Sequence, residues 1–162
     1  MKAVLLAGGL GTRLREETEY RPKPMVEVGG RPIIWHIMKG FAHHGISDFV
    51  VCTGYRGEVI KDFFLFYEGR THDFTVRLGQ PAEVTYHSAH EESGWQVTVA
   101  DTGQTTMTGG RVKRIQDHIG DERFMVTYGD GLADVDIPAL IAFHEAHGKL
   151  ATVTTIRPWS RF

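Results

Sequence analysis

Several kinds of protein are excluded by what this sequence has little of. It holds a single cysteine, so no internal disulfide framework can form, and a reducing compartment, the cytoplasm, is the expected setting. That residue, Cys52, sits in the apolar run Phe49-Val50-Val51-Cys52 and reads as a small core residue. No His–Asn pattern frames it as a nucleophile. Basic and acidic side chains nearly balance, 18 against 20, which leaves no basic stripe for nucleic acid and no polybasic tail for a membrane. The apolar start Ala3–Ala7 is cut by Gly8-Gly9 before it reaches the length of a secretory segment, and no stretch approaches a membrane span. What remains is a soluble protein whose partner is a small molecule.

Glycine, by contrast, is plentiful. Nineteen of 162 residues is about 12%, against an average near 7%, so many positions need tight turns or close backbone approach. The length suits one domain with a single core. Along it, short apolar runs alternate with helical periodicity. Lys2–Leu6 is an uninterrupted apolar run ending in glycine, as expected of a buried parallel strand. From Arg31 to His44, Ile33, Ile34, Ile37, Met38, Phe41 and Ala42 form a helical stripe, with Pro32 near its start and Gly45 at its end. A strand at Asp48–Thr53 and a helix at Glu58–Glu68 repeat the unit. Two alternating stretches, Glu83–Ser88 and Trp95–Asp101, read as strands with one exposed face, added antiparallel to the sheet. A helix over about 110–119, a strand Arg123–Tyr128, a helix Asp136–His147 and a strand Ala151–Ile156 complete the series. The expected fold class is therefore α/β: a mostly parallel, Rossmann-like sheet flanked by helices.

In such a sheet, ligands bind outside the carboxyl ends of the strands. Gly8-Gly9-Leu10-Gly11-Thr12-Arg13 follows the first strand at that position, where glycine frees backbone N–H groups for phosphate oxygens. Two familiar phosphate loops do not fit. G-x-x-x-x-G-K-[ST] finds no Gly-Lys-Ser/Thr, and G-x-G-x-x-G from Gly9 fails because residue 14 is Leu, which also disfavours a dinucleotide-binding oxidoreductase. Taken alone, the loop is equally well a plain strand–helix turn. Ten residues beyond Arg13, Lys23 stands between Pro22 and Pro24, whose rings are expected to hold Arg21 and Lys23 extended. A glycine loop, an Arg and a Lys together are what polyphosphate chemistry needs.

Tyr128-Gly129-Asp130-Gly131 puts an acid after a strand with room for a hydrated cation; its plainer reading is a turn. Thr106-Met107-Thr108-Gly109-Gly110-Arg111 offers a hydroxyl, glycines and an Arg at a helix start, with Thr108 the expected N-cap. Nine histidines raise a metal site, through His87 and His90 beside Glu91-Glu92 or through His144 and His147. No third ligand stands at a convincing spacing, and His43, His44 and His147 fall at expected helix ends.

Leu6 to Met25, LAGGLGTRLREETEYRPKPM, resembles the G-G-x-G-T-R-L…P-K-P-M signature of nucleoside-diphosphate-sugar pyrophosphorylases. The similarity extends through PKPMVEVGGRPIIWHIM, HGISDF, GYRG, DTG, MTGGRVKRI, TYGDG and FHEAHGK, over nearly the whole chain. Within the family it looks nearest to the members that join CTP to glucose 1-phosphate, giving CDP-glucose for cell-surface polysaccharide; thymidylyl relatives show a Ser-Lys-Gln-type segment in place of Pro-Lys-Pro. The resemblance implies a glycosyltransferase-A-like fold. It also implies that Leu6, Ala7, Gly8, Gly9, Leu10, Gly11, Thr12 and Arg13 wrap the nucleotide, with Lys23 on the phosphates. Thr106, Arg111 and Gly129 match further nucleotide contacts, and Asp130 matches the first Mg²⁺-binding aspartate. A neighbouring subunit completes part of the site in the family, so a homo-oligomer is implied. The family's sugar-binding region and second metal-binding aspartate match nothing in this sequence. A partial copy, either active or only nucleotide-binding, is the corresponding expectation.

Overall fold

The computed structural model describes residues 1–9, 20–79, 81–87 and 90–157. They fall into two compact units, Met1–Leu132 and a second that begins at Ala133. The first is built on a four-stranded sheet: β1 (Lys2–Leu6), β4 (Asp48–Thr53), β7 (Gln96–Asp101) and β8 (Phe124–Tyr128), in the spatial order β7-β4-β1-β8. Every pairing is parallel, with Val4 opposite Val50 on one side and Val126 on the other. The central strands β1 and β4 are buried on both faces, and Ala3, Val4, Leu5 and Phe49 through Cys52 have no measurable exposure. That is why their sequences run apolar without alternation.

Side chains alternate across a strand, so Val4, Leu6, Val50 and Cys52 share one face. There they cluster with Ile115 and Ile119 from two short helices, α4 (Thr108–Arg114) and α5 (Gln116–Ile119). Helix α1 (Ile33–His43) buries Ile34, Ile37, Met38 and Phe41, the stripe that the spacing predicts. Helix α2 (Gly57–Leu65) lies against β7, and α3 (Tyr67–Thr71) follows it.

Several expectations need correction. Trp95–Asp101 is not an antiparallel addition: Gln96–Asp101 pairs parallel with β4 at the sheet's edge. Its half-exposed pattern reflects that edge position. Glu83–Ser88 does not join this sheet. Its strand, β6 (Glu83–Tyr86), pairs antiparallel with β5 (Phe74–Arg77), a strand not expected from the sequence. Both members of this hairpin are exposed throughout, so no buried face ties either one to the main sheet. The first helix begins at Ile33 because Arg31-Pro32 (β3) pairs with Glu27-Val28 (β2) around Gly29 and Gly30. Those glycines have φ of +59° and +78°, as a two-residue type I′ turn requires. The predicted helix at 58–68 breaks into α2 and α3, and that at 110–119 into α4 and α5.

In the second unit, α6 (Ile137–His147) is opened by Asp136, whose carboxylate accepts from Ala139 N–H at 2.9 Å. Gly148 ends it with φ +63°, the left-handed closure that glycine permits. Residues 151–157 form no strand: no ladder among the described residues supplies partners for their N–H and C=O groups. The β-branched run alone does not make a strand without such a partner. No helix among the described residues is long and apolar enough to cross a membrane.

Candidate active site

The chain leaves β1, builds outward through β4 and β7, then returns to place β8 on β1's other side. The carboxyl ends of β1 and β8 therefore meet where the strand order reverses, the point at which open α/β sheets bind ligands. Two segments end there. Gly8 and Gly9 follow β1, and Gly129-Asp130 follows β8, with Gly129 N–H donating to Leu6 O at 3.0 Å. A Cβ on Gly129 would stand 3.3 Å from Leu6 O, Ala7 Cβ and Pro24 Cγ, so this position leaves little room for a side chain.

Above these ends lies a cleft of about 340 Å³, lined by Leu6, Ala7, Gly8, Gly9, Lys23, Pro24, Thr106, Met107, Thr108, Arg111, Tyr128 and Asp130. Residues more than a hundred positions apart, expected separately to meet a nucleotide, thus share one surface. Leu10, Gly11, Thr12 and Arg13 lie outside the described residues. Pro24, Met107, Thr108 and Tyr128 are additions to the expected lining. Met107 and Tyr128, 80% and 61% exposed, are apolar surface left open at the cleft, and both lie inside motifs singled out in the sequence.

Lys23 reaches the cleft by a route other than the expected one. Pro22 is extended, at φ −69° and ψ 150°, but Lys23 opens a 3-10 turn, Lys23–Met25. Met25 N–H bonds to Pro22 O at 2.8 Å and closes the turn. Pro24 sits at a helix start, where its missing N–H costs nothing. Lys23 Nζ stands 3.9 Å from Asp130 Oδ2, a loose pair of one cation and one carboxylate facing the same space.

Arg111 has a different environment from that expected of a direct ligand contact. It is 5% exposed, and its guanidinium donates to Gly8 O at 2.8 Å, Thr53 O at 2.9 Å and Thr102 Oγ1 at 2.7 Å. Those acceptors follow β1, end β4 and follow β7 respectively. One side chain thus ties together the carboxyl ends of three strands. Burial pushes the Arg111 guanidinium below its ordinary pKa, yet an arginine stays charged at neutral pH. The grip also orients the loop. In a planar trans peptide the C=O and the following N–H point in opposite directions, so holding Gly8 O aims the Gly9 N–H away from Arg111. Two glycines make room for the guanidinium. A methyl on Gly8 would fall on it, and one on Gly54 would come within 2.8 Å of Nη1, of Gly103 O and of Gly8 O. Thr108 does not cap α4; Met107 occupies the N-cap without a side-chain bond.

Comparison with known proteins supplies the family. The family model described as nucleotidyl transferase matches residues 2–161. This chain belongs to that family. Glucose-1-phosphate cytidylyltransferase of Salmonella typhimurium is 54% identical over 163 aligned residues, which cover 100% of this chain and 63% of the Salmonella protein. A probable glucose-1-phosphate cytidylyltransferase of Bacillus subtilis is 43% identical, again over 100% of this chain and 63% of that protein. The chain thus spans 63% of the length of these curated relatives. Among solved structures, HddC from Yersinia pseudotuberculosis complexed with GMP-PN superposes with a TM-score of 0.64 at 23% identity, covering 88% of this chain and 53% of that one. At that identity the likeness concerns the fold, and it agrees with the parallel sheet and flanking helices found here.

Proposed function

We propose that this chain forms the nucleotide site of an enzyme that joins CTP and glucose 1-phosphate to give CDP-glucose and pyrophosphate, for use in cell-surface polysaccharide synthesis. The observation that carries this reading is the convergence of Gly8, Gly9, Lys23 and Asp130 in one cleft at the β1/β8 switch point. The similarity to glucose-1-phosphate cytidylyltransferases supports the choice of nucleotide and sugar.

The chemistry asks little covalent work of the protein. A phosphate oxygen of glucose 1-phosphate attacks the α-phosphorus of CTP, a P–O bond forms, and the bond to the β-phosphate breaks as pyrophosphate departs. The phosphate monoester is already a nucleophile at neutral pH, so catalysis is alignment and charge neutralisation. In this reading Gly8 and Gly9 present backbone to the phosphates, and Lys23 and Arg13 balance the negative charge. Arg111 acts one layer behind, holding the glycine loop in shape.

Asp130 suits Mg²⁺. Its side chain is 40% exposed, with Lys23 beside it, and it brings one carboxylate to the cleft rather than a preformed cage. Mg²⁺ takes one or two carboxylates and keeps waters and phosphate oxygens for the rest. When bound there, the ion would supply further neutralisation of the phosphate oxygens. The exposed hairpin, with Phe74, Val76, Val84 and Tyr86 each between 41% and 48% exposed, supports a homo-oligomer that covers it. Pyrophosphate release from CTP plus glucose 1-phosphate tests the reading. It should require Mg²⁺ and be lost in Asp130→Asn; release that survives EDTA would overturn the metal assignment.

A further inference from the structure

Away from the nucleotide cleft, three side chains converge that play no part in the reaction above. Glu68 lies in α3, His72 directly follows it, and His90 lies between β6 and β7. One donor atom from each can be chosen so that all three stand within 4.8 Å of one another. The contacts are direct. His90 Nε2 is 2.7 Å from Glu68 Oε1, and His72 Nδ1 is 3.5 Å from Glu68 Oε2. The two imidazole rings lie 4.8 Å apart, tilted by 35°. Their side chains are 9% and 12% exposed, so both are largely withdrawn from water next to a carboxylate.

Two imidazoles and one carboxylate form the mixed nitrogen–oxygen donor set taken by Zn²⁺ and similar borderline cations. A second feature points the same way. On the far side of the His90 ring, Nδ1 is 3.2 Å from Glu92 Oε2 and 3.1 Å from the Glu92 backbone N–H; with Nε2 on an ion, the ring proton sits on Nδ1 and the carboxylate replaces the N–H as its partner. Glu92 is itself 9% exposed and anchored by Lys39 Nζ at 3.0 Å. A carboxylate on the distal nitrogen is the support that fixes the tautomer and orientation of a metal-bound histidine.

We propose that Glu68, His72 and His90 form a three-ligand site for a divalent transition cation of the Zn²⁺ class, oriented from behind by Glu92. Tetrahedral ligands at about 2.0–2.1 Å from zinc stand about 3.3 Å apart. The 2.7 Å contact between His90 and Glu68 must therefore open slightly as the ion replaces the proton it now shares, while the wider separations close. Glu68, with its side chain 44% exposed, has room to swing. The bond between Thr71 Oγ1 and His72 Nδ1, at 2.8 Å, must give way if that nitrogen is the ligand. Glu68 and His90 also line a separate cleft of about 520 Å³ with Lys61, Phe64, Tyr67 and Trp95. A fourth coordination position is thereby open to water or a small ligand. The bound ion would fasten α3 to the segment that leads into β7.

The test uses the intact protein, stripped with EDTA, dialysed and titrated with Zn²⁺ in competition with a chromophoric chelator. One equivalent should bind. His72→Ala and His90→Ala should each weaken binding by tenfold or more, and Glu92→Gln by about tenfold. Thermal melts in EDTA establish whether each variant folds. Should either alanine variant fail to fold, Glu68→Gln, which keeps shape at a half-exposed position, decides the matter by losing affinity and the visible bands of a tetrahedral Co²⁺ complex. The proposal falls if the wild-type protein binds no stoichiometric zinc. It also falls if affinity is unchanged in Glu68→Gln and His90→Ala, which would leave an ion-pair cluster only.

Discussion

Replacing Arg111 with methionine keeps an aliphatic stem and deletes the group that ties three strand ends together. The losses are unequal. Thr53 O retains two other donors, the Thr102 backbone N–H at 3.0 Å and the Thr102 hydroxyl at 2.7 Å. Gly8 O, which accepts from Arg111 Nη2 at 2.8 Å, loses its donor in a buried setting. An orphaned buried carbonyl costs about 1–3 kcal/mol, and a hydrogen bond from a charged donor contributes about 1.5–3 kcal/mol. Relief of the guanidinium's own desolvation offsets part of this, so a net loss of about 2–4 kcal/mol is expected. For a chain of this size each kcal/mol lowers Tm by about 2–4 °C, giving a fall of roughly 5–15 °C. Calorimetric melting measures it directly, and CTP titration on the still-folded protein measures the second consequence, a weakened nucleotide site. Arg111→Lys should lie between the two, because one ammonium cannot reach all three acceptors at once. A methionine variant that melts within about 1 °C of wild type and binds CTP equally well would refute the positioning role.

Two further outcomes follow from the same geometry. Gly8→Ala should destabilise the protein as Arg111→Met does, since the added methyl meets the guanidinium. Gly9→Ala meets nothing within 4 Å among the described residues and should leave Tm nearly unchanged; equal melting of the two variants would contradict the packing described. Cys52 supplies a pH prediction. Burial pushes its thiol from 9.0 up to about 11, so the unfolded chain loses the proton first. Its contribution is intact below pH 9 and is lost as pH rises from about 9 to about 11, at up to about 1.4 kcal/mol per pH unit. Urea melts at pH 8 and 10.5 should show a steeper decline for wild type than for Cys52→Ala; parallel declines would count against it.

The sheet strands and the outline of the cleft were legible in the sequence because each left a local mark. β1 and β4 are buried on both faces, so their apolar runs have sharp ends, and Asp48–Thr53 was bounded to the residue. The motifs at Gly8-Gly9 and Gly129-Asp130 end strands, and the topology brings strand ends together. The sequence marks Arg111 through its motif, but only the fold shows that the acceptors near it are Gly8 O, Thr53 O and Thr102 Oγ1. Of the hairpin, Glu83–Tyr86 is legible as a strand from its alternation, but its partner Phe74–Arg77 and their pairing are not, because neither strand has a buried face. The sequence sets His90 beside His87, whereas its neighbours in space are Glu68 and His72, 22 and 18 residues back across that hairpin. No spacing rule spans a connection of that length.

The claim on which the rest depends is that the cleft between β1 and β8 holds the triphosphate of CTP. Calorimetric titration of CTP with Mg²⁺ into wild-type protein and Lys23→Met, alongside dTTP, UTP, ATP, GTP and NAD, tests it in one experiment. Saturable one-to-one binding that prefers CTP and weakens by tenfold or more in Lys23→Met is the result predicted. Binding of NAD in place of CTP, or CTP affinity indifferent to Lys23, would contradict it.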